Sequence, residues 1–203
     1  MIDPTAFGYA NWRFAWGDHI CAFFDDPIQQ MEVMLPFLAH GLRAHQRCVW
    51  VGPATSCDRF RQHLRRLGGD LPTLEASGQL VLISDVDFYL QDGLFEPTRS
   101  LQLLRTLLAD GIAQGYGTMR LATDIPWTYE RRLDPEVWEM YEVQLNQEQL
   151  GLPLVSVCQY DRRQVTGGIL VAALRTHRLV IMDQALHENP FYSPTLQRPE
   201  RVA

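Results

Sequence analysis

The chain contains no lysine; all 18 of its cationic side chains are arginine. Schiff-base chemistry, a pyridoxal anchor and the phosphate-gripping lysine of a P-loop are therefore excluded. Arginine cannot take over as a titrating base, because it stays protonated at any working pH. No GxxxxGK[ST], GxSxG or HExxH occurs either. Gly115-Tyr116-Gly117 begins like a dinucleotide fingerprint, but Arg120 stands where the third glycine belongs and the stretch ends a helix instead of following a strand. The familiar routes to phosphate, dinucleotide and acyl chemistry are closed.

There is no long apolar run, no basic leader before an apolar block and no CxxC. Cys21, Cys48, Cys57 and Cys158 are widely spaced, which points to a reduced, cytoplasmic setting with no membrane segment. A formal net charge of -6 argues against direct nucleic-acid binding, which needs clustered positive charge. The short basic run over residues 61–66 has helical spacing and reads as a solvated face. With 203 residues, 46% hydrophobic and 21% charged, the chain has material for one buried core.

Short apolar runs alternate with helical periodicity. Residues 19–24 read as a first strand, followed by Asp26 as N-cap and Pro27 at the first helical position. Ile28, Met31, Leu35, Leu38 and Leu42 give that helix one buried face, with a kink or break expected at Pro36. A second strand is expected at 48–52, and then a helix capped by Thr55 or Ser56, with Phe60, Leu64 and Leu67 buried. Further strands are expected at 80–84, 119–123, 154–159 and 179–182. Between them, helices run through Leu101, Leu104, Leu108 and Ile112, from Pro135 to about Leu150, and over 164–175. The pattern is that of an α/β domain, a three-layer fold with a mostly parallel sheet and helices on both faces. Residues 1–16 form an aromatic extension able to dock on the domain or on a second protomer, a possible homodimer. Residues 187–203 form a proline-containing, irregular tail.

His19 and Cys21 share one face of the first strand. Cys158 and His177 could complete a tetrahedral metal set with them; buried structural roles are the alternative. Phe24, Asp124, Trp127, Tyr160 and Asp161 all follow strand ends, the edge where open α/β sheets bind ligands. Asp25, Asp26 and Asp161 could equally be helix caps. Glu142 sits between apolar helix positions; it is expected on the surface or, if inward, paired with Arg120.

The ordered set Gly17-Asp18-His19-Ile20-Cys21-Ala22-Phe23-Phe24, Phe37-Leu38-Ala39-His40-Gly41-Leu42 and Arg47-Cys48-Val49-Trp50-Val51 resembles the MEDS domain, the methanogen/methylotroph, DcmR sensory domain. So do Gly78-Gln79-Leu80, Tyr141-Glu142 with Leu145-Asn146, Cys158-Gln159-Tyr160-Asp161, and His177 before an apolar strand. The resemblance spans about residues 17–192, with the sensory domain itself placed at 17–186; at Phe24 the family more often has tyrosine. It implies a RecA-like or KaiC-like fold without a working nucleotide site, since Phe24-Asp25-Asp26-Pro27 occupies the P-loop position with carboxylates that would repel phosphate. It further implies a non-catalytic sensor of a small, apolar or hydrocarbon-derived molecule, with no cofactor. Such a sensor would act in signal transduction or transcriptional control through a separate kinase or transcription regulator. The ligand-binding residues expected are His19, Cys21, Phe24, Asp124, Trp127, Glu142, Cys158 and Tyr160. A metal or redox sensor using His19, Cys21, Cys158 and His177 is the other reading.

Overall fold

A computed structural model describes residues 2–194. The elements run β1 (His19–Phe24), α1 (Pro27–Arg43), β2 (Arg47–Gly52), α2 (Ala54–Arg66), α3 (Leu71–Ala76), β3 (Leu80–Ser84), α4 (Asp85–Tyr89), α5 (Pro97–Ala113), β4 (Met119–Asp124), α6 (Trp127–Glu130), α7 (Pro135–Gln149), β5 (Leu154–Asp161), α8 (Gly167–Thr176), β6 (Leu179–Met182) and β7 (Ala185–Glu188). They build one sheet of order β3-β2-β4-β5-β1-β6-β7, parallel throughout except for β7. The three-layer α/β expectation holds.

The central strands β1, β2, β4 and β5 are buried on both faces and divide the interior by alternation. In β1, Ile20, Ala22 and Phe24 pack under α1 and α2 with Phe37 and Phe60, while Cys21 and Phe23 join Tyr141, Trp138 and Leu104 on the other face. The first element follows the sequence reading closely: Asp26 caps α1 by accepting from the backbone N–H groups of Ile28 and Gln29.

Several local expectations are corrected. Helix α1 continues through Pro36, because packing against two strands outweighs the one bond a proline removes. Of its expected face, Met31 and Leu38 are buried, Leu35 and Leu42 are half-buried and Ile28 is exposed, while Gln30, Val33, Met34 and Phe37 widen the buried face. Leu67 and Ile112 are also exposed, each lying at or near the end of its helix. Neither Thr55 nor Ser56 caps α2; Ser56 lies inside the helix, accepts from Trp50 Nε1 at 3.2 Å, and Pro53 takes the cap position. Helices α3, α4 and α6 are too short for periodicity to reveal, strand β7 lacks an apolar run and ends exposed, and α8 begins at Gly167, later than expected. The expected tail therefore begins inside β7; its last part, from residue 195, lies outside the described residues.

The aromatic N-terminal segment docks on its own domain. Phe7 and Phe14 are buried against Phe37, and Arg120 lies over the Phe14 and Phe37 rings. Arg120 does not pair with Glu142. It points to the opposite face and donates to Gln46 Oε1 and to the carbonyls of Pro4, Ala6, Phe7 and Phe37 at 2.5–3.1 Å. All five of its N–H donors are thereby used without a carboxylate, and burial lowers its pKa to about 10.

Candidate functional site: a buried donor cluster and a cleft at the strand ends

Strand β1 lies between β5 and β6, so side chains from three distant segments meet on one face. In this register Cys21 lies beside Cys158 and His19 beside Ser156. His177 closes α8 just before β6, and Glu142 descends from α7. His19, Glu142, Cys158 and His177 each bring one donor atom to a common point, all within 4.8 Å of one another and all buried. His19 Nε2 is 2.9 Å from His177 Nε2, 3.1 Å from Cys158 Sγ and 3.2 Å from Glu142 Oε2. His177 Nε2 is 3.6 Å from the same carboxylate oxygen. Among the described residues this is the one group of histidine, cysteine and acidic side chains that converges in this way.

Both imidazoles are oriented from behind. His19 Nδ1 lies 3.1 Å from Asn146 Oδ1, and the amide's direction is set by Nδ2 donating to the Thr176 carbonyl at 2.7 Å. His177 Nδ1 lies 2.8 Å from the Ala173 carbonyl. Glu142 Oε1 accepts from the Tyr160 hydroxyl at 3.3 Å, and that oxygen in turn accepts from Trp138 Nε1 at 3.1 Å. Glu142 Oε2 has no hydrogen-bond partner.

Burial governs the electrostatics. It lifts Glu142 to about 8 and lowers His177 to about 4. His19 is lowered by burial and then by the neighbouring His177. The Cys158 and Cys21 thiols are raised, first by burial and then by the Glu142 charge. High thiol pKa and full burial make both cysteines poor nucleophiles.

A second feature lies at the carboxyl ends of the strands, a cleft of about 340 Å³ whose walls include Phe24, Gln30, Arg59, Asp124, Tyr129 and Tyr160. Five carboxylates line it, those of Asp26, Asp85, Asp124, Glu130 and Asp161, against the single arginine Arg59. Burial raises the Asp124 pKa, opposed by hydrogen bonds from Ser56 and Gln30. The N-terminus of α1, where a phosphate would sit in a nucleotide-binding relative, is held by the Asp26 side chain. Beside it Asp25 makes a two-pronged ion pair with Arg162 at 2.6 and 2.7 Å, so Asp25 is not a cap. Asp161 is not a helix cap either; it accepts from the Arg163 backbone and side chain and from Gln164.

The residues singled out from sequence thus separate. Phe24, Asp124 and Tyr160 line the cleft. His19, Glu142, Cys158 and His177 form the cluster. Cys21 lies in neither; its thiol reaches the Leu179 carbonyl at 3.7 Å. Trp127 is packed in an aromatic group with Tyr89, Phe95 and Trp138 and does not line the cleft. Glu142 is not on the surface, the first expectation for it: it shares one helical face with Trp138, Tyr141 and Leu145, and packing of that face buries all four. The cleft residues Gln30, Ser56, Asp85 and Tyr129 carry no sequence signal of their own.

A family model described as the methanogen/methylotroph, DcmR sensory domain matches residues 18–178. The transcriptional repressor DcmR of Methylorubrum extorquens is 27% identical over 171 residues, covering 83% of this chain and 61% of the repressor. The chain thus spans about three-fifths of that relative's length. A KaiC-like protein from Pyrococcus horikoshii superposes with a TM-score of 0.61 at 14% identity, covering 89% of this chain and 80% of the other. That likeness shows the fold. No helix among the described residues is long and apolar enough to cross a membrane.

Proposed function

The chain belongs to the MEDS family of sensory domains, and on that premise we propose that it is a non-catalytic receptor for a small organic molecule bound in the cleft at the strand ends. The observation that carries this reading is the meeting of Phe24, Asp124 and Tyr160 in one cavity of ligand size at the edge where open α/β sheets take their ligands. Asp26 capping α1 supports a ligand other than a nucleotide. The hydrocarbon-derived molecule suggested by the family resemblance would find apolar contacts on Phe24, Pro27, Pro53, Pro126 and Tyr129. The five carboxylates favour a ligand that also carries a hydrogen-bond donor or a positive charge. Likeness to a transcriptional repressor supports an output in transcriptional control, through a regulator joined to or bound by this domain.

The test is a thermal-shift screen of small amines, alcohols and halogenated hydrocarbons, repeated with Asp124→Asn and Tyr129→Ala. Specific ligands should raise the melting temperature of the parent protein and lose that effect in both variants. A shift that survives both substitutions would move the ligand site elsewhere.

A further inference from the structure

We propose that His19, Glu142, Cys158 and His177 are the four ligands of a closed, zinc-type metal centre buried beneath the sheet. The proposal concerns the donor cluster and does not rest on the cleft's being a ligand site.

The tautomers carry the first part of the case. Asn146 Oδ1 and the Ala173 carbonyl are acceptors 3.1 and 2.8 Å from the two Nδ1 atoms, so both Nδ1 atoms bear the hydrogen. Both Nε2 atoms then present lone pairs, and they do so toward each other at 2.9 Å. Two lone pairs at that distance repel unless a cation lies between them. An outer partner holding the far nitrogen is also the usual arrangement behind a metal-bound histidine.

The second part is charge. Glu142 is fully buried with one oxygen lacking a hydrogen-bond partner, and no arginine reaches it. A buried carboxylate without a cation is costly. A dication with one carboxylate, one thiolate and two neutral imidazoles sums to zero, so the buried site can be filled without leaving a net charge in the interior. Uptake displaces the Cys158 thiol proton and the carboxyl proton that burial retains on Glu142; both leave to solvent.

Geometry supplies the third part. A tetrahedral ion with bonds of about 2.0–2.3 Å separates nitrogen, oxygen and sulfur donors by about 3.3–3.7 Å. Four of the six separations run from 2.9 to 3.6 Å and all six lie within 4.8 Å, so side-chain adjustments of an ångström or so bring the four donors to an ion. Mixed imidazole, thiolate and carboxylate donors select a borderline metal over calcium or magnesium. Four protein donors leave no open position, which is the arrangement of a structural centre and not of a catalytic one. A separate cavity of about 300 Å³ at the opposite end of β1, lined by Trp16, Asp18, Asn146 and Arg178, includes His19 in its wall and is the nearest approach from solvent to the cluster. The set differs from the one spacing suggested, because Glu142 stands in the place expected for Cys21.

The experiment strips the full chain with chelator under reducing conditions and titrates back Zn²⁺ or Co²⁺. One ion per chain is expected, with a Co²⁺ spectrum showing strong tetrahedral d–d bands and a thiolate-to-cobalt charge-transfer band. Cys158→Ser should abolish the charge-transfer band, and Asn146→Ala should weaken Zn²⁺ by about 10–100-fold. Cys21→Ser should leave stoichiometry and spectrum intact. Failure of the wild-type chain to take up a stoichiometric ion would overturn the proposal. So would a Co²⁺ complex lacking the thiolate band, or equal loss in Cys21→Ser and Cys158→Ser. The wild-type spectrum decides even if a variant fails to fold, and none of these outcomes depends on the cleft.

Discussion

Tyr160 belongs to both candidate sites: the residue lies in the cleft wall at the end of β5, and its buried hydroxyl donates to Glu142 Oε1 at 3.3 Å in the cluster. Trp138 Nε1 donates to the same hydroxyl at 3.1 Å, so one oxygen satisfies two buried groups. The cleft and the cluster are therefore adjacent, sharing one residue of β5.

Tyr160→Phe leaves the Trp138 N–H and the Glu142 oxygen unpaired in the interior. A loss of roughly 2–4 kcal/mol in urea unfolding is expected, at about 1–2 for each group left without a partner. A loss under about 0.5 kcal/mol would mean that these hydrogen bonds contribute nothing net.

Arg120→Ala removes the donors that satisfy the Pro4, Ala6, Phe7 and Phe37 carbonyls. The expected cost is about 3–5 kcal/mol, the scale of breaking a buried charged network. Protease cleavage should become rapid within residues 2–16. Arg120→Lys should rescue little, since an ammonium offers three donors in place of a planar five. Unchanged proteolysis of that segment in the alanine variant would show that its aromatic contacts suffice to hold it.

Gly41→Ala tests a close approach between α1 and the sheet. A Cβ there would lie 2.7 Å from both Arg120 Cδ and Cys48 Sγ. Alanine gains about 1 kcal/mol of helix propensity, but overpacking of this kind costs about 1–3 kcal/mol. Because the clash falls on a side chain pinned at every donor, a lowered melting temperature is expected. A raised one would mean that α1 slides outward freely.

Asp124 gives a pH dependence of definite sign. Burial raises its folded-state pKa above the usual carboxylate value, so the folded protein retains a proton that the unfolded chain has released. Its contribution to stability is present at low pH and is lost as the pH rises from about 4 through the raised value. Asp124→Asn should therefore be more stable than the parent at pH 7, with the difference shrinking toward pH 4, as followed by thermal melts across that range. The same substitution should weaken ligand binding, a trade expected of a functional carboxylate. Equal stability differences at both pH values would remove the charge from the explanation.

Local chemistry in the sequence determined a good part of this protein. The bounds of β1, the Asp26-Pro27 helix start, the alternation of strands and helices and the loss of a P-loop all follow from neighbouring residues and need no distant partner. The family resemblance rested on the same short motifs. Periodicity missed α3, α4 and α6, which are shorter than two helical turns, and it found only part of the buried face of α1, which contact with β2 and β4 widens to Gln30, Val33, Met34 and Phe37. Only the tertiary structure decided which donors share a site. His19, Glu142, Cys158 and His177 come from four separate elements, and they converge because the sheet order places β5 and β6 on either side of β1. The same order left Cys21 against a backbone carbonyl and turned Arg120 to the face away from Glu142. Strand order depends on how whole layers bury their apolar faces, and spacing along the chain does not encode it.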